Sequence, residues 1–124
     1  MKIVAHTLPY RMRGKIEVLE YVDQNGNCPF RDWFDSLDSV PAARVAVYLE
    51  RVVQGNYSNV APIGFALSEI KLDFGPGYRI YFGKENDFIL LLLGGSSKKD
   101  QKKAIDRAKK LWEEHLAVKK TIQK

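Results

Sequence analysis

The fold is decided by residues 67–95, which read LSEIKLDFGPGYRIYFGKENDFILLLLGG. Polar and apolar side chains alternate over residues 67–73 and again over residues 78–82, which predicts two strands. The Gly-Pro-Gly tripeptide between them predicts the turn of a hairpin. Residues 88–93 are apolar on both faces, so we expect them to form the central and most buried strand of the sheet.

Upstream of this stretch the spacing of apolar residues changes along the chain. Residues 16–22 mostly alternate and predict a strand, whereas residues 1–15 form either an N-terminal arm or a short edge strand. Pro29 occupies a first helical position, and apolar residues follow it at helical spacing. Pro41 then opens a second helix, which Gly55 ends.

The remaining segments complete a single-domain α+β fold. Residues 55–65 are rich in Gly, Asn, Ser and Pro and predict a loop. The last segment predicts a long amphipathic helix, and residues 117–124 a basic tail. We therefore expect one domain over residues 1–124, a small and mostly antiparallel sheet with two N-terminal helices and a C-terminal helix. The helices are expected to pack on one side of the sheet.

Length and composition exclude several classes of protein. The chain has 124 residues, of which 45% are hydrophobic and 28% charged, as in an ordinary globular domain. No apolar run approaches the roughly 18 residues of a membrane span, and the N-terminal residues lack the apolar region of a secretory signal. The single cysteine, Cys28, excludes an intramolecular disulfide and a zinc site built on several cysteines. These features predict a cytoplasmic protein without membrane contact.

Positive charge is concentrated at one end of the chain. Residues 1–97 carry 10 basic and 11 acidic side chains, whereas residues 98–124 carry 10 basic and 4 acidic ones. The whole net charge of +5 therefore comes from the last segment. A basic segment of this kind indicates a polyanionic partner, and the alternative is a solvated, lysine-rich helix.

The hairpin of residues 67–82 carries the candidate catalytic residues. If its strands pair, Glu69, Lys71, Arg79 and Tyr81 share the face opposite the apolar side chains. An Arg fork and a Lys charge suit phosphate oxygens, while Glu or Tyr can move a proton. RNA can be cut by such a group without a metal or other cofactor, because its own 2′-hydroxyl is the nucleophile. The alternative is a solvated face with cross-strand ion pairs.

A second candidate site precedes the last helix. Lys98 and Lys99 lie where the helix dipole favours anions, so together with free backbone amides they predict a phosphate site. Lys102 and Lys103 continue the basic run. No metal-ligand spacing is present, and His115 is expected on the helix surface.

Several segments in order also carry a family resemblance. They are FRDWFDSL at 30–37, Ala43-Arg44, Gly55-Asn56, Pro62-Ile63-Gly64, SEIKLDFGPGYRIYF at 68–82, LLLGG at 91–95, Lys98-Lys99 and Gln101. With these segments the chain resembles the addiction-module killer proteins, the phage-derived, HigB-like branch of the RelE/ParE toxin superfamily. The resemblance spans about residues 16–116.

This resemblance implies a RelE-like fold and the toxin of a type II toxin–antitoxin system. Many such toxins bind the ribosome and cut mRNA there without a metal, and a cognate antitoxin, often a helix-turn-helix protein, holds them inactive. By position, Arg79 is the candidate contact to the scissile phosphate, with Lys71 and Glu69 in the matching strand. The resemblance also leaves two alternatives, a ParE-like toxin acting on DNA gyrase and an inactive member that only binds its antitoxin.

Overall fold

The computed structural model describes the backbone of residues 5–122 and the side chains of residues 14–121. Within that range the chain forms an α+β domain of six strands and three helices, as the sequence predicts in class. In order they are β1 (Ala5–Arg13), β2 (Glu17–Tyr21), α1 (Pro29–Asp35), α2 (Ser39–Val53), β3 (Val60–Gly64), β4 (Leu67–Leu72), β5 (Tyr78–Asn86), β6 (Ile89–Ser96) and α3 (Gln101–Ile122). One 3-10 turn over Lys98–Asp100 joins β6 to α3.

The six strands form one sheet in the order β1-β2-β6-β5-β4-β3. Neighbouring strands are antiparallel except β2 and β6, which are parallel. β6 lies inside the sheet, and the side chains of residues 90–93 are buried. The predicted central position of this apolar run is therefore confirmed.

Two predicted connections differ from the structure. The segment predicted as a loop over residues 55–65 contains the edge strand β3, which pairs with β4. An edge strand tolerates Pro62 and Gly64 because one side of its backbone needs no partner strand. Of the two N-terminal alternatives, residues 5–13 form the opposite edge strand β1, while residues 1–4 lie outside the described part.

The predicted basic tail is largely helical. α3 continues to Ile122, through most of residues 117–124, and its Val118 is buried. Residues 123 and 124 lie outside the described range. A buried apolar contact near the end of the segment lets the helix persist where charge alone suggested a tail.

Helices cover both faces of the sheet, so the prediction that they pack on one side is wrong. The α2 face, which packs against α1 and α2, is lined by apolar side chains: Val18, Ile70, Leu72, Ile80, Phe82, Leu90 and Leu92. The α3 face packs against α3 and carries the alternate residues: Tyr21, Leu67, Tyr81, Leu91 and Leu93. The cause is visible in β6, whose residues 89–93 are apolar at both parities and need cover on both sides.

No helix within residues 5–122 is long and apolar enough to cross a membrane.

Candidate phosphate-binding site

The register of the β4–β5 hairpin brings the four predicted catalytic residues together. Glu69 lies opposite Tyr81, and Lys71 lies opposite Arg79. Because side chains two residues apart point to the same side of a strand, all four belong to the α3 face. The Gly-Pro-Gly segment forms the predicted turn between the strands, where Gly75 and Gly77 adopt φ values of 53° and 73°.

The face that carries these residues is covered by α3. Arg79 is 6% exposed, Glu69 7% and Tyr81 0%, whereas Lys71 is exposed. The alternative of a solvated face is therefore wrong for three of the four residues, whereas the cross-strand ion pair that it includes is present between Arg79 and Glu69. Gly83 makes the cover possible, since a Cβ there would lie 2.5 Å from the indole of Trp112 on α3.

Arg79 lacks a good partner although it is buried. Its Nε lies 3.7 Å from Oε1 of Glu69, which is too long for a hydrogen bond. Among the described residues Nε has no hydrogen-bond acceptor at all. A buried donor without an acceptor costs about 1–3 kcal/mol of stability, so the site favours an added acceptor oxygen.

Glu69 also accepts a hydrogen bond from Gln101, the first residue of α3. Nε2 of Gln101 donates a hydrogen bond of 3.0 Å to Oε1 of Glu69, the same oxygen that faces Arg79. Alternation along the strands did not indicate Gln101, because it belongs to a distant helix. Only its place in the resembling segments singled it out.

Tyr81 is placed for structure rather than for proton transfer. Its hydroxyl lies 2.9 Å from Oγ of Ser96, and that serine donates to the backbone carbonyl of Ser97. Either hydroxyl can be the donor in the contact between Tyr81 and Ser96. Burial, reinforced by the charge of Glu69, raises the pKa of Tyr81, although Ser96 and Arg79 act in the opposite direction. A raised pKa and a buried hydroxyl oppose the predicted role of Tyr81 as a proton carrier.

The four predicted lysines at the start of α3 are all exposed. Lys98 lies against the hairpin turn, because a Cβ placed on Gly77 would be 3.4 Å from the Cβ of Lys98. Its backbone N–H donates to the carbonyl of Pro76, so this amide is not free for an anion as predicted. Lys99 and Lys102 are exposed.

Lys103 lines a cavity beside α3. This cavity of about 390 Å³ joins a second one of about 400 Å³, and both are lined by Trp33, Gly95, Ala104 and Arg107. Gly95 lets Trp33 pack closely on β6, since a Cβ there would be 2.2 Å from the indole. Lys103 therefore lines this cavity, whereas Lys98 lies against the hairpin turn.

His115 is buried, so its predicted place on the helix surface is wrong. Its ring packs near those of Tyr21 and Trp112, and Nε2 hydrogen-bonds to Oε2 of Glu85. Burial alone would raise the pKa of Glu85, but hydrogen bonds from Lys119 and His115 outweigh it and lower the pKa below its ordinary 4.5. This network fixes α3 to β5 away from the candidate site.

Cys28 packs in the interior. Its Sγ lies 3.4 Å from the buried carboxylate of Glu20, which Arg31 also binds. Burial raises the pKa of the thiol to about 11, so Cys28 is a poor nucleophile. Within residues 14–121 no three His, Cys, Asp or Glu side chains are grouped to hold a metal ion.

The sequence matches no family model and no solved structure. A Haemophilus influenzae protein described as "Uncharacterized protein" is 31% identical to this chain over 86 residues. The matched region spans 68% of this chain and 87% of that protein. The chain belongs to the same family as this protein. The description of the H. influenzae relative states no activity.

Proposed function

We propose that this protein is the toxin of a type II toxin–antitoxin pair and a metal-independent, ribosome-associated endonuclease of mRNA. The observation that carries the proposal is Arg79, a buried guanidinium whose Nε has no hydrogen-bond acceptor among the described residues and faces Glu69 at 3.7 Å. A phosphate oxygen would supply the missing acceptor. The resemblance to HigB-like members of the RelE/ParE toxins supports the same reading, as does the basic segment 98–124.

The cluster contains the groups that cleavage of RNA through its own 2′-hydroxyl requires. In that reaction the 2′-oxygen attacks the adjacent phosphorus and the bond from phosphorus to the 5′-oxygen breaks. The 5′-oxygen takes up a proton from water, so the products are a 2′,3′-cyclic phosphate and a 5′-hydroxyl. We assign Glu69 to accept the proton of the 2′-hydroxyl and Arg79 to stabilise charge on the phosphorane-like transition state. Lys71 is exposed and lies opposite Arg79, so it adds positive charge where the RNA enters the site.

Access to Arg79 requires a local rearrangement in this proposal. Gln101 hydrogen-bonds to Glu69 on the side from which α3 covers the cluster. A phosphate that binds Arg79 displaces this amide, at a cost of about 1.5–3 kcal/mol for a hydrogen bond to a charged group. The charge-assisted contacts between Arg79 and the phosphate offset that cost.

The burial of Arg79 and Glu69 favours a second candidate function. A cluster closed by α3 also suits a member of the superfamily that binds its antitoxin and cuts nothing. In that case the pair of Arg79 and Glu69 is structural. The ParE-like alternative, a toxin that acts on DNA gyrase, likewise needs no access to Arg79.

The test is induced expression in a bacterial host with mapping of mRNA 5′ ends before and after induction. We expect growth arrest and new ends inside translated reading frames for the wild-type chain, and neither for Arg79→Ala. Arg51→Ala is the matched control, because Arg51 is an exposed arginine on α2 that stacks on Tyr48. It should keep full toxicity, and both purified variants should remain folded by circular dichroism.

Each other outcome contradicts a stated part of the proposal. Cleavage that persists in Arg79→Ala would remove Arg79 from the site. Arrest without new mRNA ends, accompanied by a DNA-damage response, would point to gyrase. Absence of both arrest and cleavage would favour the member that only binds.

A further inference from the structure

The turn between β3 and β4 exposes an aromatic ring, and the backbone of this turn is strained. Gly64 pairs with Leu67, which leaves Phe65 and Ala66 as the two central residues of a tight hairpin. Their φ values are 58° and 64°, a left-handed region that glycine and asparagine enter far more easily. A phenylalanine at such a position needs a reason other than backbone preference.

The side chain of Phe65 gives no packing reason for this strain. It is 66% exposed, so it contributes little to either face of the sheet. A cation lies on it instead, since Nζ of Lys109 is 3.7 Å from the ring centroid. The only carboxylate paired with Lys109 among the described residues is Asp106, at the outer limit of 4.0 Å. The turn therefore presents an exposed ring with an ammonium group over one of its faces.

A second exposed phenylalanine shows what an ordinary surface ring looks like here. Phe88 is 68% exposed between β5 and β6. Its φ is not positive, and no cation or ring contacts it within residues 14–121. Exposed apolar residues of that kind are common and need no function. Phe65 differs in both its strained backbone and its cation.

The pair lies on the same side of α3 as the Arg79 cluster. Gln101, which contacts Glu69, and Lys109, which contacts Phe65, are eight residues apart and so share one helix face. Eight residues of helix span about 12 Å. This distance is short enough for one strand of RNA to reach both the cluster and the turn.

We infer that Phe65 and Lys109 form a platform that stacks one base of single-stranded RNA and contacts its phosphate. This inference rests on the proposed function, since it extends the path of the same RNA. Aromatic rings that stack bases beside cations are the recurring means of holding single-stranded nucleic acid. The excess of positive charge over residues 98–124 favours RNA over an apolar protein partner.

The test compares variants of the turn for binding of a fluorescein-labelled, single-stranded oligoadenylate by fluorescence anisotropy at one fixed salt concentration. Phe65→Gly removes the ring and relieves the strain at once. We expect its Kd to rise about 5-fold to 150-fold, the range that loss of one stacked base implies. Its Tm should be unchanged or higher, because glycine suits the left-handed turn. A purely structural role for the ring predicts the opposite change in Tm.

Three further variants serve as matched controls. Ala66→Gly relieves the strain at the neighbouring residue but keeps the ring, so it should bind RNA as the wild type does. Phe88→Ala removes an equally exposed ring elsewhere and should also leave the Kd unchanged. Phe65→Trp should bind the RNA about as tightly as the wild type does, because indole also stacks on bases.

The outcomes separate this inference from the proposed nuclease. If Phe65→Gly binds as tightly as the wild type, the platform is wrong while the nuclease proposal stands. An equal loss in Phe88→Ala would likewise overturn the platform, since any exposed ring would then suffice. If the wild-type chain binds the oligonucleotide through Phe65 but cuts no mRNA, the platform is supported and the nuclease is not.

Discussion

Helices cover both faces of the sheet, but different interactions hold them there. On the α2 face, Ile80 and its neighbours on the sheet meet apolar side chains from α1 and α2. On the α3 face, apolar contacts alternate with polar ones, among them those between Tyr81 and Ser96 and between Gln101 and Glu69. Apolar contacts are non-directional, whereas hydrogen bonds fix direction and partner. The α2 face therefore supplies stability, and the α3 face positions α3 over the candidate site.

Adjacent residues of β5 test this comparison directly. Ile80→Ala on the α2 face should lower the free energy of unfolding by about 2–5 kcal/mol, because it leaves a cavity in an apolar core. Urea denaturation followed by circular dichroism measures the change. If Ile80→Ala lowers the free energy of unfolding by less than Tyr81→Phe does, the division of roles between the two faces is wrong.

Tyr81→Phe on the α3 face should have a smaller effect. It removes one hydrogen bond, worth about 0.5–1.5 kcal/mol, and leaves Ser96 still bonded to the carbonyl of Ser97. Because the hydroxyl is buried, we expect mRNA cleavage on induction to match the wild type. Loss of cleavage without loss of folding would restore Tyr81 to the catalytic role that the sequence predicts.

The smallest expected effect concerns pH and the far end of α3. The lowered pKa of Glu85 means that its contribution to stability is fully present above its ordinary value of 4.5 and is lost as the pH falls below it. Thermal melts from neutral pH downwards should show this loss, and Glu85→Gln should reduce the dependence on pH. An identical acid response in Glu85→Gln would show that its hydrogen bonds to His115 and Lys119 do not stabilise the folded state.

The strands and helices with strong periodicity are predictable from the sequence. The hairpin of β4 and β5, the buried β6 and the two helices after Pro29 follow from local patterns of apolar residues and from turn residues. The shared side of Glu69, Lys71, Arg79 and Tyr81 follows in the same way, since alternation fixes it once two strands pair. β3 was missed because an edge strand tolerates the proline and glycine that usually mark a loop.

Only the tertiary structure decides which face α3 covers. A local pattern states that a strand is apolar on both sides, but not which helix packs on either side, since that depends on contacts between residues far apart in the chain. The cover by α3 buries Arg79, binds Gln101 to Glu69 and places His115 in the interior. The sequence alone determines the chemical groups of the candidate site, and long-range packing determines their exposure and partners.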